Sequence, residues 1–467
     1  YAYYMGGYIA YNYNAIEFTG NSFTMEPTYG YYGLYYYYNQ NSSTTVSHVF
    51  ANNKVTGFGG YGVYMFYPGS ASAATAPTYV YNNMIVSGNT YNTMINGLFI
   101  QDNTNARTWV LNNTVVNRFA VSNNAYGPFR SSGSTNLVVR NNMFINLNGS
   151  VGTPAYFTTS PAAGNVNHNN YWNPVGPSLV YRNATFYTAA NYKTAANGGD
   201  SSYNMSPDLV SELDLHTKSA CIPRGSDYSA VFTADIDGNT RGIPFMLGAD
   251  EVVGVSNDIE ISALLTPTVP VALGAQDVKV IVKNRGTNTV TSFNVSYRLN
   301  NGTPVTIAYG GAGLGTCQSD TMTFTGANQV TIGLGVNNLK VYTSAPNATT
   351  DSDPSNDTVS VGLAAPLAGD YIIGAAPSDF PDLNSAIAAA QSRGIGARTV
   401  FKIKTGVYNG TYTIANIPGL TATSTLNITS LAGHRDSVRL EFFYTTTSTQ
   451  VIALGASFVN LDKITVR

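Results

Sequence analysis

Charge is what this 467-residue chain has least of. Asp, Glu, Lys and Arg make up 10% of it, against about 25% in an ordinary soluble domain, and the formal net charge is -2. A chain so poor in basic residues has no electrostatic footprint for nucleic acid or for an anionic membrane. Cys221 and Cys317 are its two cysteines. They fall in different parts of the domain layout below, so no disulfide framework or metal-thiolate site is implied, and a single bridge between them stays open. No apolar run approaches the roughly 18 residues that cross a bilayer as a helix. Tyr1-Ala2-Tyr3-Tyr4-Met5 lacks both the basic start and the cleavage pattern of a signal peptide. The chain starts and stops in what reads as mid-strand, and we expect a mature fragment or one segment of a longer polypeptide. Gly, Asn, Thr, Ser and Tyr fill the place of the missing charges, as in all-β extracellular proteins. An extracellular or cell-surface location is therefore expected.

What is present is a repeat. Between His48 and Leu147 one phrase, an asparagine pair between two apolar runs, is written four times: Val49-Phe50-Ala51-Asn52-Asn53-Lys54-Val55, Val80-Tyr81-Asn82-Asn83-Met84-Ile85, Val110-Leu111-Asn112-Asn113-Thr114-Val115 and Val138-Val139-Arg140-Asn141-Asn142-Met143-Phe144. The second asparagines stand at 53, 83, 113 and 142, so the steps are 30, 30 and 29. Such a period means stacked units that bury their apolar faces only against one another. Three residues before the second asparagine stand Phe50, Val80, Val110 and Val139; two after it stand Val55, Ile85, Val115 and Phe144. Both flanks alternate with the period of a strand, so the asparagines mark a corner between two short strands. Asparagine tolerates the left-handed backbone of a tight corner, and identical amides stacked rung on rung can form a ladder. Gly62-Val63-Tyr64-Met65-Phe66 and Gly97-Leu98-Phe99-Ile100 supply further strand-like pieces. The expectation is an all-β chain whose first part, 1–254, is a right-handed parallel β-helix of about 30 residues per coil. The alternative, a β-sandwich with fortuitous asparagines, does not readily give so regular a repeat.

Residues 1–47 are dense in tyrosine, and Ala15-Ile16-Glu17-Phe18-Thr19-Gly20-Asn21-Ser22-Phe23 reads as a degenerate earlier copy of the phrase. Tyrosine rows can stack between coils with wet hydroxyls, or form an aromatic platform for sugar. After Leu147 the period loosens into long loops over 149–163 and 183–204. A patterned stretch then ends in Asp235-Ile236-Asp237-Gly238-Asn239-Thr240-Arg241 and Gly248-Ala249-Asp250-Glu251. This order resembles the closing coils of secreted bacterial parallel β-helix repeat proteins, whose last coil carries D-x-D-G-x-x-R and ends in G-A-D-E. The resemblance covers roughly 1–254 and implies a structural motif that closes the solenoid's open end. Asp235, Asp237 and Asn239 also have the one-three-five spacing of a calcium loop. Arg241 in the seventh place and Phe245 to Leu247 beyond it argue for a capped turn instead.

From 255 to 366 the pattern changes to seven alternating strands, at 259–261, 278–282, 293–297, 305–307, 321–324, 339–342 and 359–361, the signature of a sandwich of about 100 residues. Asn284-Arg285-Gly286-Thr287 and Asp351-Ser352-Asp353-Pro354-Ser355-Asn356-Asp357-Thr358 resemble the CARDB-type Ig-like modules of bacterial surface proteins, which are commonly spacers or adhesion domains. Asp351, Asp353 and Asp357 could hold calcium but read as a solvated loop. In 367–467, Asp379 to Ala390 is a helix with apolar residues at 383, 387 and 390, ended by Gly394. With the strand from Val400 to Tyr408 it resembles the amino-terminal cap of the pectin lyase and pectinesterase superfamily, which implies a helix plugging the start of a second β-helix. Gly410 stands where the pectinesterase form has Glu, and no Gly-Phe-Gln-Asp-Thr or Asp-Phe-Ile-Phe-Gly segment is present.

The opening of a solenoid thus stands late in the chain and the closing of one stands early. Read as a circle, 367–467 continues into 1–254, which leads to the expectation of a tandem chain or of subunits stacking end to end into a filament. Catalysis on such a coil needs paired carboxylates or a base beside a cation, yet between 48 and 200 only Asp102 and Asp200 are acidic. His48, His168, His216 and His434 are scattered, with His168 read as a loop residue, and Cys221 reads as buried and inert. We therefore expect no enzyme, no catalytic, cofactor-binding or metal residues and no cofactor. The expected function is a structural or adhesive surface protein that self-associates end to end through its coils. The alternative is a β-helix that binds or cleaves surface polysaccharide, with His168 and Arg130 as the loop residues to test.

Overall fold

The computed structural model describes residues 4–25, 30–70, 72, 74–88, 95–119, 125–147, 152–174, 176, 178–188, 190–192, 201–253, 255–333, 336–442 and 450–467; Asp200 and parts of the two long loops lie outside them. The chain forms two compact units, Tyr1–Gly254 and Val255–Arg467. In the first, three strands per coil stack into three parallel sheets. The first sheet runs Met5–Ala10, Tyr32–Tyr37, Tyr61–Phe66, Asn96–Gln101, Gly127–Ser132, Ala155–Phe157, Val180–Arg182. The second holds Glu17–Thr19, His48–Ala51, Thr78–Tyr81, Thr108–Leu111, Val138–Arg140 and Val166–Asn167. The third holds Ser22–Thr24, Lys54–Phe58, Met84–Ser87, Thr114–Asn117, Met143–Asn146 and Asn170–Trp172.

Strict register turns the sequence periodicity into columns. Phe18, Phe50, Val80, Val110 and Val139 face one another down the second sheet. Phe23, Val55, Ile85, Val115 and Phe144 do so down the third. From Phe50 and Val55 onward these side chains are at most 1% exposed, and each such burial contributes roughly 1.5–3 kcal/mol. Opposite them the first sheet sets a column of glycine. A Cβ on Gly33, Gly62 or Gly97 would lie 2.4, 2.5 or 2.3 Å from Val55, Ile85 or Val115. The glycines let the third sheet's branched side chains pack straight onto the first sheet's backbone.

The corner between the second and third sheets divides its labour. The first asparagine of each pair, Asn52, Asn82, Asn112 or Asn141, takes the left-handed conformation, with φ between 50° and 59°. The second turns inward and is fully buried. Its Nδ2 donates to the Oδ1 of the next rung, Asn21 to Asn53 at 3.0 Å, Asn53 to Asn83 at 2.9 Å, Asn83 to Asn113 at 2.8 Å and Asn113 to Asn142 at 2.9 Å. The same Oδ1 also takes the preceding rung's backbone N–H. The ladder extends beyond the four phrases: Asn142 donates to Asn169 at 2.9 Å and the Asn169 backbone N–H to the Ser202 hydroxyl at 3.1 Å. His168, read from sequence as a loop residue, fills the left-handed place of this fifth corner with φ 52°.

The D-x-D-G-x-x-R and G-A-D-E segments do not close the solenoid's end. That end carries other devices: Thr185–Tyr187 turns back antiparallel on Val180–Arg182, and Tyr203 exchanges backbone hydrogen bonds with Tyr171 and Asn169. Residues 223–251 instead run back along the corner as a strap. The outward first asparagines hold it: Asn141 donates to the Ser226 carbonyl at 2.8 Å, Asn112 to that of Met246 at 2.7 Å and Asn82 to that of Ala234 at 2.8 Å. Beneath it Met246, Leu247 and Ala249 pack on Val116, Met143 and Ile145. A segment anchored by backbone carbonyls to asparagines a coil apart cannot be seen from sequence periodicity alone.

In the second unit each of the seven anticipated strands is present. Ile259–Thr266, Val278–Asn284 and Ser319–Phe324 form one antiparallel sheet; Val305–Ala308, Asn294–Leu299, Val336–Ser344 and Thr358–Ala364 form another. Val278, Val280, Val282, Val295, Val341 and Leu363 fill the core they share. Beyond it the helix Leu383–Arg393 is capped by the Asp382 carboxylate, which accepts the Ser385 N–H at 2.8 Å, and ends at Gly394 with φ 78°. Its buried Leu383, Ala386, Ile387 and Ala390 cover the first coil of a second parallel solenoid. Those coils comprise Ile395–Ile403, Gly406–Asn409 and Tyr412–Ala415, then Leu426–Ser430, Val438–Glu441 and Ile452–Gly455, then Val459–Asp462 and Thr465–Val466.

Candidate functional site

The outer face of the first sheet gathers the tyrosines. Register places Tyr8, Tyr35, Tyr64, Phe99, Arg130, Tyr156 and Tyr181 in one column. Tyr35 and Tyr64 lie 5.0 Å apart with planes 3° from parallel, Tyr64 and Phe99 4.8 Å and 4°, and Tyr156 and Tyr181 4.2 Å and 9°. Flat rings side by side could not come so close, so the faces overlap along the solenoid and leave edges and hydroxyls to solvent. The Arg130 guanidinium sits 4.9 Å from the Phe99 centroid and 5.9 Å from that of Tyr156, continuing the stack as a cation–π link. Burial, and then the neighbouring hydroxyls, push Tyr35 up to about 12. A sugar-stacking platform needs its ring faces turned outward, and this column spends them on its own neighbours.

The histidines do not converge. His48 is buried at the start of a second-sheet strand, where its Nε2 donates to the Asn14 carbonyl at 2.6 Å and its Nδ1 takes the Tyr36 hydroxyl at 2.8 Å. Burial lowers its pKa. His168 holds its corner with Nδ1 3.3 Å from the Ser226 hydroxyl. His216 lies beside the strap, its Nδ1 against Asp214 and its Nε2 2.8 Å from Asp237. Burial opposes its charge, but the Asp214 and Asp237 carboxylates outweigh burial and hold its pKa above the ordinary value. His434 precedes the turn Arg435–Ser437 in the second unit. Cys221 is buried, and neither cysteine is a free thiol.

Asp235, Asp237 and Asp250 bring carboxylate oxygens within 4.8 Å of one another. Asp235 is already engaged: its Oδ1 accepts the Asp237 and Asn239 N–H groups at 2.9 and 2.8 Å, and its Oδ2 the Glu251 N–H at 3.0 Å. This is the hydrogen bonding of a closed turn. In the second unit Asp351 accepts the Ile259 and Asp353 N–H groups at 3.0 and 2.9 Å. Sequence reading missed Asp258 beside them, fully buried with its Oδ2 lacking a hydrogen-bond partner. Burial first, with the neighbouring carboxylates adding, pushes Asp258 and Asp357 up to about 7.

Asp102 is 4% exposed at the turn after a first-sheet strand. Its oxygens take the Gly69 and Asn103 N–H groups at 3.1 and 2.9 Å and the Thr108 hydroxyl. These bonds offset only part of the burial, which pushes its pKa up to about 6. A raised folded-state pKa means that the folded chain binds this proton more tightly than the unfolded chain. The ionised form therefore costs stability above pH 6, by about 3 kcal/mol, and that cost vanishes as the pH falls toward 4. Asp102→Asn is expected to stabilise the first unit at pH 7.5 by about 1–3 kcal/mol and to remove this slope. Urea midpoints of both proteins at pH 4, 5, 6 and 7.5 check it, and parallel pH profiles would refute it.

No helix among the described residues is long and apolar enough to cross a membrane. No protein-family model matches the chain, and no curated protein matches it. Among solved structures it is similar to the CARDB domain of the PF1109 protein from Pyrococcus furiosus, in complex with di-metal ions, at 19% identity over 20% of this chain and 78% of that one, with a TM-score of 0.16. A likeness of that size bears on neither metal nor activity in this chain.

Proposed function

We propose that this chain is a scaffold segment of a secreted, cell-surface protein of the pectin lyase-like kind, with no catalytic activity, that gains length by associating end to end. The observation that carries the reading is the ladder of buried amides from Asn21 to Asn169. Each rung satisfies the next, an arrangement whose product is a stiff rod rather than a cleft. The scarcity of charge supports it, since such rods meet with little repulsion. Carbohydrate binding stays as a second reading because Arg130 offers a cation among the aromatic rings of that face. Incubation with acidic and neutral polysaccharides is expected to release no reducing ends. Release that Arg130→Ala or His168→Ala abolishes would sink the scaffold reading.

A further inference from the structure

Asp258 stands just before the strand Ile259–Thr266 and is 0% exposed. Its Oδ1 accepts the Asn356 Nδ2–H at 3.0 Å, and no donor reaches its Oδ2. Asn356 repeats the pattern: its Nδ2 is spent on Asp258 and, at 3.4 Å, on Asp353 Oδ2, while its buried Oδ1 has no donor. Turning that amide over would set its oxygen against two carboxylates, so the orientation is fixed. One hydrogen-bonded pair of side chains thus holds two buried acceptors without donors.

The charges gathered round this pair are negative. Asp351, Asp353 and Asp357, on the loop between Val336–Ser344 and Thr358–Ala364, all bear on Asp258. Asp351 Oδ2 accepts the Ile259 N–H at 3.0 Å, which holds that carboxylate beside Asp258. Asp357 meets Asp351, and the Thr343 hydroxyl lies 3.1 Å from Asp357 Oδ1 and 2.7 Å from the Ile259 carbonyl. Arg285 donates its backbone N–H to the Asp258 carbonyl at 2.9 Å but sends its guanidinium to Glu260 at 2.7 Å. Among the described residues no Lys, Arg or His forms an ion pair with any of the four aspartates. Buried acceptors and unpaired carboxylates are costly in a folded chain, and a coordinated cation offsets that cost.

We propose that Asp258 Oδ2, Asn356 Oδ1 and the carboxylates of Asp351 and Asp357 take a calcium ion, with water completing its shell. Ligands of oxygen alone select a hard cation. A shell assembled from two chain segments suits the flexible geometry of calcium better than the strict octahedron of magnesium. The spacing of Asp351, Asp353 and Asp357 reads by itself as a solvated loop, because the buried carboxylate beneath it comes from far upstream in sequence. The ion ties the start of Ile259–Thr266 to the loop before Thr358–Ala364, and the whole site lies within the second unit.

Equilibrium dialysis of the EDTA-stripped 467-residue protein against micromolar to millimolar calcium is expected to show a bound ion that Asp258→Asn loses and Asp235→Asn keeps. Hydrogen exchange of the amides in 257–261 and 351–358 gives a second readout. In EDTA the Asp258→Asn protein is expected to exchange more slowly there than the wild type, because it has shed an unpaired buried charge. With calcium at ten times its Kd the order reverses, the wild type slowing by roughly tenfold as mass action requires while the variant does not respond. A wild type that binds no calcium, a bound ion that Asp258→Asn retains, or an exchange order that calcium leaves unchanged would each overturn the site.

Discussion

Asn113→Ala is expected to destabilise the first unit by about 3–5 kcal/mol, as much as truncating a buried leucine would. Alanine removes the Oδ1 that accepts the Asn83 N–H and amide at 3.0 and 2.8 Å, and the Nδ2 that donates to the Asn142 amide and the Val80 carbonyl, both at 2.9 Å. All these groups lie away from water, so donors and acceptors on both neighbouring rungs are orphaned together. Asn112→Ala should cost about half as much, since that residue loses the Met246 and Gly248 contacts and takes on left-handed strain without opening the ladder. Both tryptophans, Trp109 and Trp172, lie in the first unit, so the urea transition of their fluorescence reads this unit separately from the second. A loss for Asn113→Ala no larger than that for Asn112→Ala would show that the ladder is ornamental.

The second large effect concerns Arg241, whose side chain is wholly buried. Its guanidinium donates to Asn82 Oδ1 at 2.8 Å and to the Gly248 and Ala249 carbonyls at 3.0 and 2.8 Å, and lies 3.4 Å from Glu251 Oε2. Burial pulls its pKa down to about 10, which leaves it charged at neutral pH. Arg241→Ala is expected to cost about 3–5 kcal/mol, because the Asn82 Oδ1 and the Gly248 and Ala249 carbonyls lose their donor, and Glu251, 3% exposed, keeps Arg224 at 2.8 Å but loses its buried cation. The double variant Arg241→Met/Glu251→Gln should recover part of that loss, the sign that the broken Arg241–Glu251 pair is one of its causes. Limited proteolysis is the direct readout, with cuts concentrating in 223–251 while the coils resist. Cuts spread evenly over the first unit would contradict the role of Arg241 as the strap's anchor.

Local periodicity made the coils legible. Phe50, Val80, Val110 and Val139 repeat at the rung spacing, and register alone then stacks them. The helix Leu383–Arg393 and the antiparallel strands of the second unit were readable for the same reason, since caps and alternation are written within a dozen residues. What escaped depends on partners far away in sequence. The Asn142 to Asn169 step is 27 residues and its corner carries histidine in place of the first asparagine, so the phrase breaks while the geometry continues. The outward role of Asn82 needs Arg241, 159 residues on. The tyrosines showed their density in sequence, but whether their rings faced solvent or one another depended on rung spacing in three dimensions.

A solenoid without the strap would gain stability coil by coil, each rung answering only to its neighbours. The strap changes the order of events during synthesis. Asn82, Asn112 and Asn141 leave the ribosome long before residues 223–251. Until that stretch arrives, their outward amides lack the carbonyls of Ala234, Met246 and Ser226, and Met143 and Ile145 lie uncovered. The nascent rod is thus stickiest between the emergence of Ile145 and that of residues 223–251, and laying the strap over it is the closing of a long loop, which is slow relative to local coil formation.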